Sequence, residues 1–349
     1  MIGLEGISLH LGRFSLRDVN LHVREGECYC LMGPSGSGKT VLLELVAGFH
    51  PPAAGTVRIR GRDASPFPPE RRHVGLVYQD YSLFPHMTAL ANVAFGLRVS
   101  GAPAAEALRM AGDLLSSFDI GHLCNRFPGT MSGGERQRCA LARALAVSPD
   151  ILLLDEPFSA LDPAIRTECI GIIRDLAEDR ALTVLLVSHS REEAFALADR
   201  AGLLIDGHIV QEGPPPEIFS HPATLEAARY GGVENIFCGT VEENTNGSAV
   251  IQVGPVKIVS RSGSPPGRRV SCCIKAQDIM LGLKPPIDPG MNVLPGFVSR
   301  IFQCEDFSMV SVEGGVCLTV RVPGSPVFPV GTRVNAIFPP EDVLVYEGG

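Results

Sequence analysis

Eight residues, Gly33-Pro34-Ser35-Gly36-Ser37-Gly38-Lys39-Thr40, constrain this 349-residue chain more than any other stretch. They fit G-x-x-x-x-G-K-[ST], a loop whose successive backbone N–H groups wrap a phosphate. The apolar run from Cys28 to Met32 before it reads as a short buried strand, and Val41 to Ala47 after it as a helix. The loop therefore joins strand to helix, the setting the motif requires. Gly33, Gly36 and Gly38 allow positive φ, and the helix dipole adds positive potential at the same place. Lys39 is expected to reach the β- and γ-phosphates of a nucleotide, and the Thr40 hydroxyl to ligate Mg²⁺. Of 30 lysines and arginines only Lys39, Lys257, Lys275 and Lys284 are lysine. The one lysine before Lys257 thus stands where a compact ammonium on a flexible stem, rather than a planar guanidinium, is required.

The length suits two domains rather than one core. A content of 45% hydrophobic and 19% charged residues is that of a globular chain. The formal charge of -8 argues against non-specific nucleic-acid binding, so no nucleic-acid partner is expected. No apolar run approaches the roughly 18 to 20 residues of a membrane-spanning helix. Met1 to Leu16 lacks a basic segment followed by an apolar core, so a cytosolic protein is expected. Ten cysteines without a C-x-x-C pair read as buried, reduced thiols.

Taken in order, Ile2 to Val23 alternates and predicts antiparallel strands. Val74 to Tyr78 is a short apolar strand ending at Gln79, whose amide stands where it could touch Mg²⁺ or an attacking water. From Leu90 to Leu123 the spacing turns helical, with Val93, Leu97, Ala104, Leu108, Leu114, Leu115 and Phe118 as expected core contacts of a helical insert spanning about 88–145. Met131-Ser132-Gly133-Gly134-Glu135 follows; Ser132 reads as a helix N-cap, with glycines leaving the first amides open to a second anion. Ile151 to Leu154 is an unbroken apolar run, as in a parallel strand covered on both faces, and Asp155-Glu156 emerge at its ligand-binding end. Asp155 would hold Mg²⁺ and Glu156 would orient or deprotonate water. Ser159-Ala160-Leu161-Asp162 precedes a helix over 164–178, and Ser188-His189 ends a further buried strand over 182–187, parallel to the one carrying Asp155.

Past Gly231-Gly232 the texture changes to short strands and turns, which divides the chain into 1–231 and 232–349. A repeat lies in the second part. Asn235-Ile236-Phe237-Cys238-Gly239-Thr240-Val241 matches Asn292-Val293-Leu294-Pro295-Gly296-Phe297-Val298, and Gln277-Asp278-Ile279-Met280 matches Glu341-Asp342-Val343-Leu344. Two similar halves predict a tandem of small β-barrels packed together.

Assembled, these motifs resemble the ATP-binding subunits of ABC transporters, in the importer branch with a C-terminal tandem oligonucleotide-fold domain. The resemblance implies an α/β phosphate-loop ATPase domain with a helical subdomain, followed by a small all-β domain of two barrels. It implies that Gly33 to Thr40 is the Walker A loop, Gln79 the Q-loop, and Ser132-Gly133-Gly134-Glu135 the signature. Asp155 and Glu156 are then Walker B with its catalytic carboxylate, Ser159 to Asp162 the D-loop, and His189 the switch histidine. The family's signature usually begins Leu-Ser-Gly-Gly-Gln, so Met131 and Glu135 are departures. The family also stacks adenine on an aromatic residue near the position of Leu11, and Phe14 is the nearest ring here.

The implied mechanism binds ATP with Mg²⁺ in a homodimer, each ATP held by the phosphate loop of one copy and by Ser132 and Gly134 of the other. Two transmembrane permease subunits and an extracytoplasmic substrate-binding protein complete the implied system, with this chain peripheral on the cytoplasmic face of the membrane. Within the branch, Leu42 to His50 and Ser82 to Met87 look most like molybdate and tungstate importers, with iron(III), sulfate and polyamine importers as alternatives. A soluble phosphate-loop kinase or ATPase would account for Lys39 and Asp155 but not for Ser132 to Glu135, His189 or the repeat.

Overall fold

The computed structural model describes all residues except Arg13, Ala160, Pro289, Pro326, Val327 and Gly349, and omits the side chain of Arg180. The chain divides into two compact units, Met1–His221 and Pro222–Gly349. That division falls ten residues before the composition change at Gly231-Gly232. The reason is the helix Leu225–Tyr230, whose Ala228 is buried against Val233 and Cys273 of the second unit.

In the first unit, Ile2–Leu11 and Phe14–Val23 pair antiparallel, as their alternation predicts, and Ile2–Leu11 also pairs with Ala54–Ile59. A six-stranded sheet stands beside this one. From one edge it runs His208–Gly213, Arg200–Ile205, Cys28–Met32, Thr183–Val187, Ile151–Asp155 and Val74–Val77. Its last five strands are mutually parallel, and only His208–Gly213 runs against its neighbour. Every residue of Cys28–Met32, Ile151–Asp155 and Thr183–Val187 is buried, because helices cover both faces of a parallel sheet. Leu42, Leu43, Leu45 and Val46 of the helix Lys39–Ala47 join the core between the two sheets.

The helical insert carries Ala89–Val99, Ala104–Ser117 and Gly133–Leu145. Val93, Leu97, Leu115 and Phe118 are buried as expected, but Ala104 and Leu108 are exposed and Leu114 is only half-buried. The face of the second helix that turns inward is Ala107, Ala111 and Leu115. Small residues let two helices approach closely, and that closeness outweighs the larger apolar surface of Leu108.

The second unit is built, as the repeat predicts, from two similar β halves packed on one core. One five-stranded sheet contains Asn235–Thr245, Ser248–Val253, Val256–Ser260 and Arg269–Ile274, closed by Leu344–Glu347 from the end of the chain. The other contains Asn292–Gln303, Phe307–Gly314, Cys317–Pro323 and Arg333–Phe338, closed by Met280–Gly282 from the first half. Each half gives its closing strand to the other. The asparagine that opens each repeat does the same with its amide. Asn235 accepts from Thr319 N–H at 2.7 Å and donates to Thr319 O at 2.9 Å, and Asn292 accepts from Val259 N–H at 2.7 Å and donates to Val259 O at 2.9 Å. Val241, Ile258, Val298 and Val320 belong to one shared core.

Candidate functional site

The carboxyl edge of the parallel sheet gathers the residues singled out in the sequence. Register fixes their heights: Asp155 lies opposite Val187, and Leu31 opposite the same Val187, so Gly33, Asp155, Glu156 and Ser188 leave the sheet together. Gln79 follows the adjacent strand Val74–Val77, paired to Ile151–Leu154.

Two glycines of the loop are required by what surrounds them. A Cβ on Gly33 would stand 2.1 Å from Leu204 O, and one on Gly38 would stand 2.1 Å from Phe14 Cζ with φ at +101°. Gly38 caps Lys39–Ala47 without a side-chain hydrogen bond, and the first turn holds no acidic residue. The helix therefore presents its first amides and its dipole to an incoming anion with no internal anion in competition. Lys39 curls back over the loop, its Nζ donating to Gly33 O at 2.9 Å and Pro34 O at 3.0 Å. Burial lowers its pKa, opposed by the Glu156 and Asp155 carboxylates. Ser37 Oγ is buried and has no hydrogen-bond partner among the described residues. Pro34, Ser35 and Gly36 form the turn between.

Thr40 Oγ1 donates to Asp155 Oδ1 at 3.1 Å. Burial pushes the Asp155 carboxyl above its ordinary pKa, with the Thr40 hydrogen bond pulling the other way. Thr40, Asp155, Gln79, Tyr78 and Ser82 line one open cleft of about 620 Å³. Glu156 sits at φ +43°, its N–H donating to Val187 O at 3.0 Å, and its Oε2 lies 3.3 Å from His189 Nδ1. His189 is 62% exposed, so its ring stands at the open mouth of the site.

The Ser132 turn belongs to the insert. Ser132 caps Gly133–Leu145, accepting the Glu135 N–H at 3.3 Å, while Glu135 Oε2 accepts the Ser132 N–H at 2.6 Å. This reciprocal capping box gives a physical reason for glutamate at 135, and the backbone hydrogen bond from Ser132 lowers its pKa. Of the first amides expected to be open, those of Gly133 and Gly134 lie outside the box. Gly134 also lets two helices touch, since a Cβ there would meet Ile165 at 2.7 Å. Asp162 caps Pro163–Arg180 by accepting the Ile165 N–H at 3.1 Å. Ser159 Oγ donates to Glu156 O at 3.0 Å, and Ala160 lies outside the described residues.

Glu193 was not read from the sequence. It is 4% exposed, and Ser188 Oγ donates to its Oε2 at 2.5 Å directly behind His189. The spacing Ser190-x-x-Glu193 is a capping-box signal that could have drawn attention to it, although its carboxylate turns to Ser188.

A glycine-rich loop on a helix N-terminus, with a strand-end carboxylate bonded to its threonine, defines a phosphate-loop nucleotide-binding domain. The family model described as ABC transporter matches residues 16–159. The molybdate/tungstate import ATP-binding protein of Pyrococcus horikoshii is 38% identical over 95% of this chain and 95% of its own length. The spermidine/putrescine import ATP-binding protein of Oleidesulfovibrio alaskensis is 39% identical over 82% of this chain and 78% of its own. A dimeric ATP-binding cassette in a post-hydrolysis state, bound to ADP and Pi, superposes with a TM-score of 0.57 at 31% identity, covering 62% of this chain and 99% of that one. The chain belongs to the ABC transporter family, as an ATP-binding, ATP-hydrolysing member.

Proposed function

We propose that this ATPase energises import, working as a homodimer beneath two permease subunits served by an extracytoplasmic substrate-binding protein. The observation that carries the reading is the convergence of Thr40, Asp155, Glu156 and His189 on one phosphate loop, supported by a second turn on the insert, Ser132 to Gly134, that caps a helix N-terminus. Each ATP is held by Gly33 to Thr40 of one copy and covered by Ser132, Gly133 and Gly134 of the other, Glu135 fixing that turn and Asp162 the neighbouring one. Phe14, whose ring packs on Gly38, is better supported than Leu11 as the cover for adenine.

Glu156 takes the proton of the attacking water. Lys39, the loop amides and His189 stabilise the charge that spreads over the transferring phosphoryl group. Thr40, Asp155 and Gln79 offer hydroxyl, carboxylate and amide oxygens, a donor set that suits Mg²⁺ shared with phosphate oxygens rather than caged by protein. When bound, that ion neutralises phosphate charge.

Movement leaves the site through the segment after Gln79. Arg143, on the helix capped by Ser132, donates to Ser82 O at 2.7 Å and Tyr81 O at 3.0 Å, which ties that segment to the insert. No described helix is long and apolar enough to cross a membrane. The subunit then sits peripherally on the cytoplasmic face, and its cargo is molybdate or tungstate, on the strength of the Pyrococcus relative. The spermidine/putrescine relative supports polyamine as the second reading.

Purification from detergent-solubilised membranes should recover the chain with a permease identifiable by mass. ATPase activity should vanish when a protomer is prevented from pairing; full turnover by isolated protomers refutes the two-copy site. Retention of molybdate, but not spermidine, by the receptor of the same system decides the cargo.

A further inference from the structure

The amino ends of the same parallel strands border a second concave site, which the ATPase chemistry leaves unused. A cavity of about 520 Å³ opens where His73 precedes Val74–Val77 and Asp150 precedes Ile151–Asp155, at the opposite end of the sheet from the phosphate loop. Its size falls within the range of small-molecule sites.

Its electrostatics run against those of the chain. The protein carries a formal charge of -8, yet four arginines and His73 line this one cavity against two carboxylates. Among the described residues, Arg60 is ion-paired to Asp150, whereas Arg62, Arg71 and His73 enter no ion pair. Asp63 has its Oδ1 engaged by the Ser65 N–H at 2.9 Å.

Arg72 forms the inner wall and is 4% exposed. Its guanidinium donates to Phe67 O and Leu45 O, both at 2.8 Å, to Val46 O at 3.0 Å and to Ser65 O at 3.4 Å. Carbonyls satisfy its donors and the Asp63 carboxylate is its electrostatic partner, so four arginines and His73 still outnumber the two carboxylates of the cavity and favour an anion that can approach. Phe67, 42% exposed, adds a ring beside the cations, and Ile59 and Ala64 add an apolar wall.

We propose that this cavity binds a small phosphate ester bearing a flat apolar group. Arg62, Arg71 and His73 hold the phosphate in front of Arg72, and the apolar group lies on Phe67. The two unpaired guanidinium forks, Arg62 and Arg71, suit a dianion with multiple acceptor oxygens better than a single carboxylate.

The test is calorimetric titration of phenyl phosphate into the full-length protein, with and without saturating ADP in the phosphate loop. One saturable site of the same affinity in both conditions is expected. The double substitution Arg62→Gln/Arg71→Gln, both at exposed side chains, should weaken it by about tenfold or more. Phe67→Ala should weaken phenyl phosphate while leaving inorganic phosphate unchanged. Absence of saturation up to about 10 mM, competition by ADP, or equal affinity in the double variant overturns the proposal. Equal loss of both probes in Phe67→Ala overturns the role of the ring.

Discussion

At Glu156 the backbone and the chemistry can be perturbed separately. The residue holds φ +43°, a left-handed conformation that disfavours any L residue with a Cβ by about 1 to 2 kcal/mol. It is kept there by its N–H on Val187 O and by Ser159, whose Oγ donates to Glu156 O. The contact with His189 at 3.3 Å, an ion pair only when the imidazole is protonated, adds at most about 1 kcal/mol, because the imidazole is 62% exposed and well solvated. Glu156→Gln keeps the Cβ and therefore the strain. Glu156→Gly relieves it, while the greater freedom of glycine in the unfolded chain takes back roughly 0.5 to 1 kcal/mol. The glycine variant should therefore be more stable than the glutamine variant by about 0.5 to 1 kcal/mol, or about 1 to 4 °C in Tm for a unit of this size. Both should lose ATPase turnover by about 10²- to 10⁴-fold, the usual contribution of a positioned general base. Scanning calorimetry without nucleotide and phosphate-release assays read the two effects. A glutamine variant that hydrolyses ATP at the parental rate refutes the role of the carboxylate. A glycine variant that melts below the glutamine variant refutes the strain.

Three further outcomes follow from contacts elsewhere. Gly38→Ala must displace the Phe14 ring and adopt φ +101°, so it should destabilise by about 1 to 3 kcal/mol in urea and weaken ATP binding; adding Phe14→Ala should restore part of the stability, because it removes the clash but not the φ. Burial raises the Glu193 pKa above its ordinary 4.5, so between those values the native state keeps a proton that the unfolded chain has released, and stability falls as pH rises through that window. Glu193→Gln should abolish that part of the slope while still accepting from Ser188; parallel urea-midpoint profiles for parent and variant from pH 4 to 8 would count against it. Asn235→Ala leaves the Thr319 N–H without its acceptor, which should destabilise by about 1 to 3 kcal/mol and speed hydrogen exchange at Thr319 in the full chain; unchanged exchange there would sink the assignment.

What the sequence made legible was whatever local pattern decides. The loop from Gly33 to Thr40, the buried runs ending at Asp155 and Ser188, and the Ser132 cap are each set by neighbours within a few residues, and each stands where its motif predicts. The insert shows where such patterns stop. Helical spacing allowed either Leu108 or Ala107 and Ala111 to face inward, and only the approach of the preceding helix selects the small residues. Glu135 looked like a departure because the usual residue there is defined by family habit, whereas its function as the second half of a capping box is defined by one hydrogen bond to Ser132. The repeat was visible for the same local reason, yet alternation along a strand tells which face is buried and not which strand lies alongside. Leu344–Glu347 and Met280–Gly282 carry ordinary strand patterns whose partners belong to the opposite half. The clue that was present is Asn235 and Asn292, the same amide opening both repeats. A buried amide needs both its donor and its acceptor met; Asn235 gives one N–H to Ile274 O of its own half, but its acceptor and other donor, like those of Asn292, are met across the repeat. It follows that neither half can close its sheet alone, and that the second unit forms as one cooperative body around a shared core.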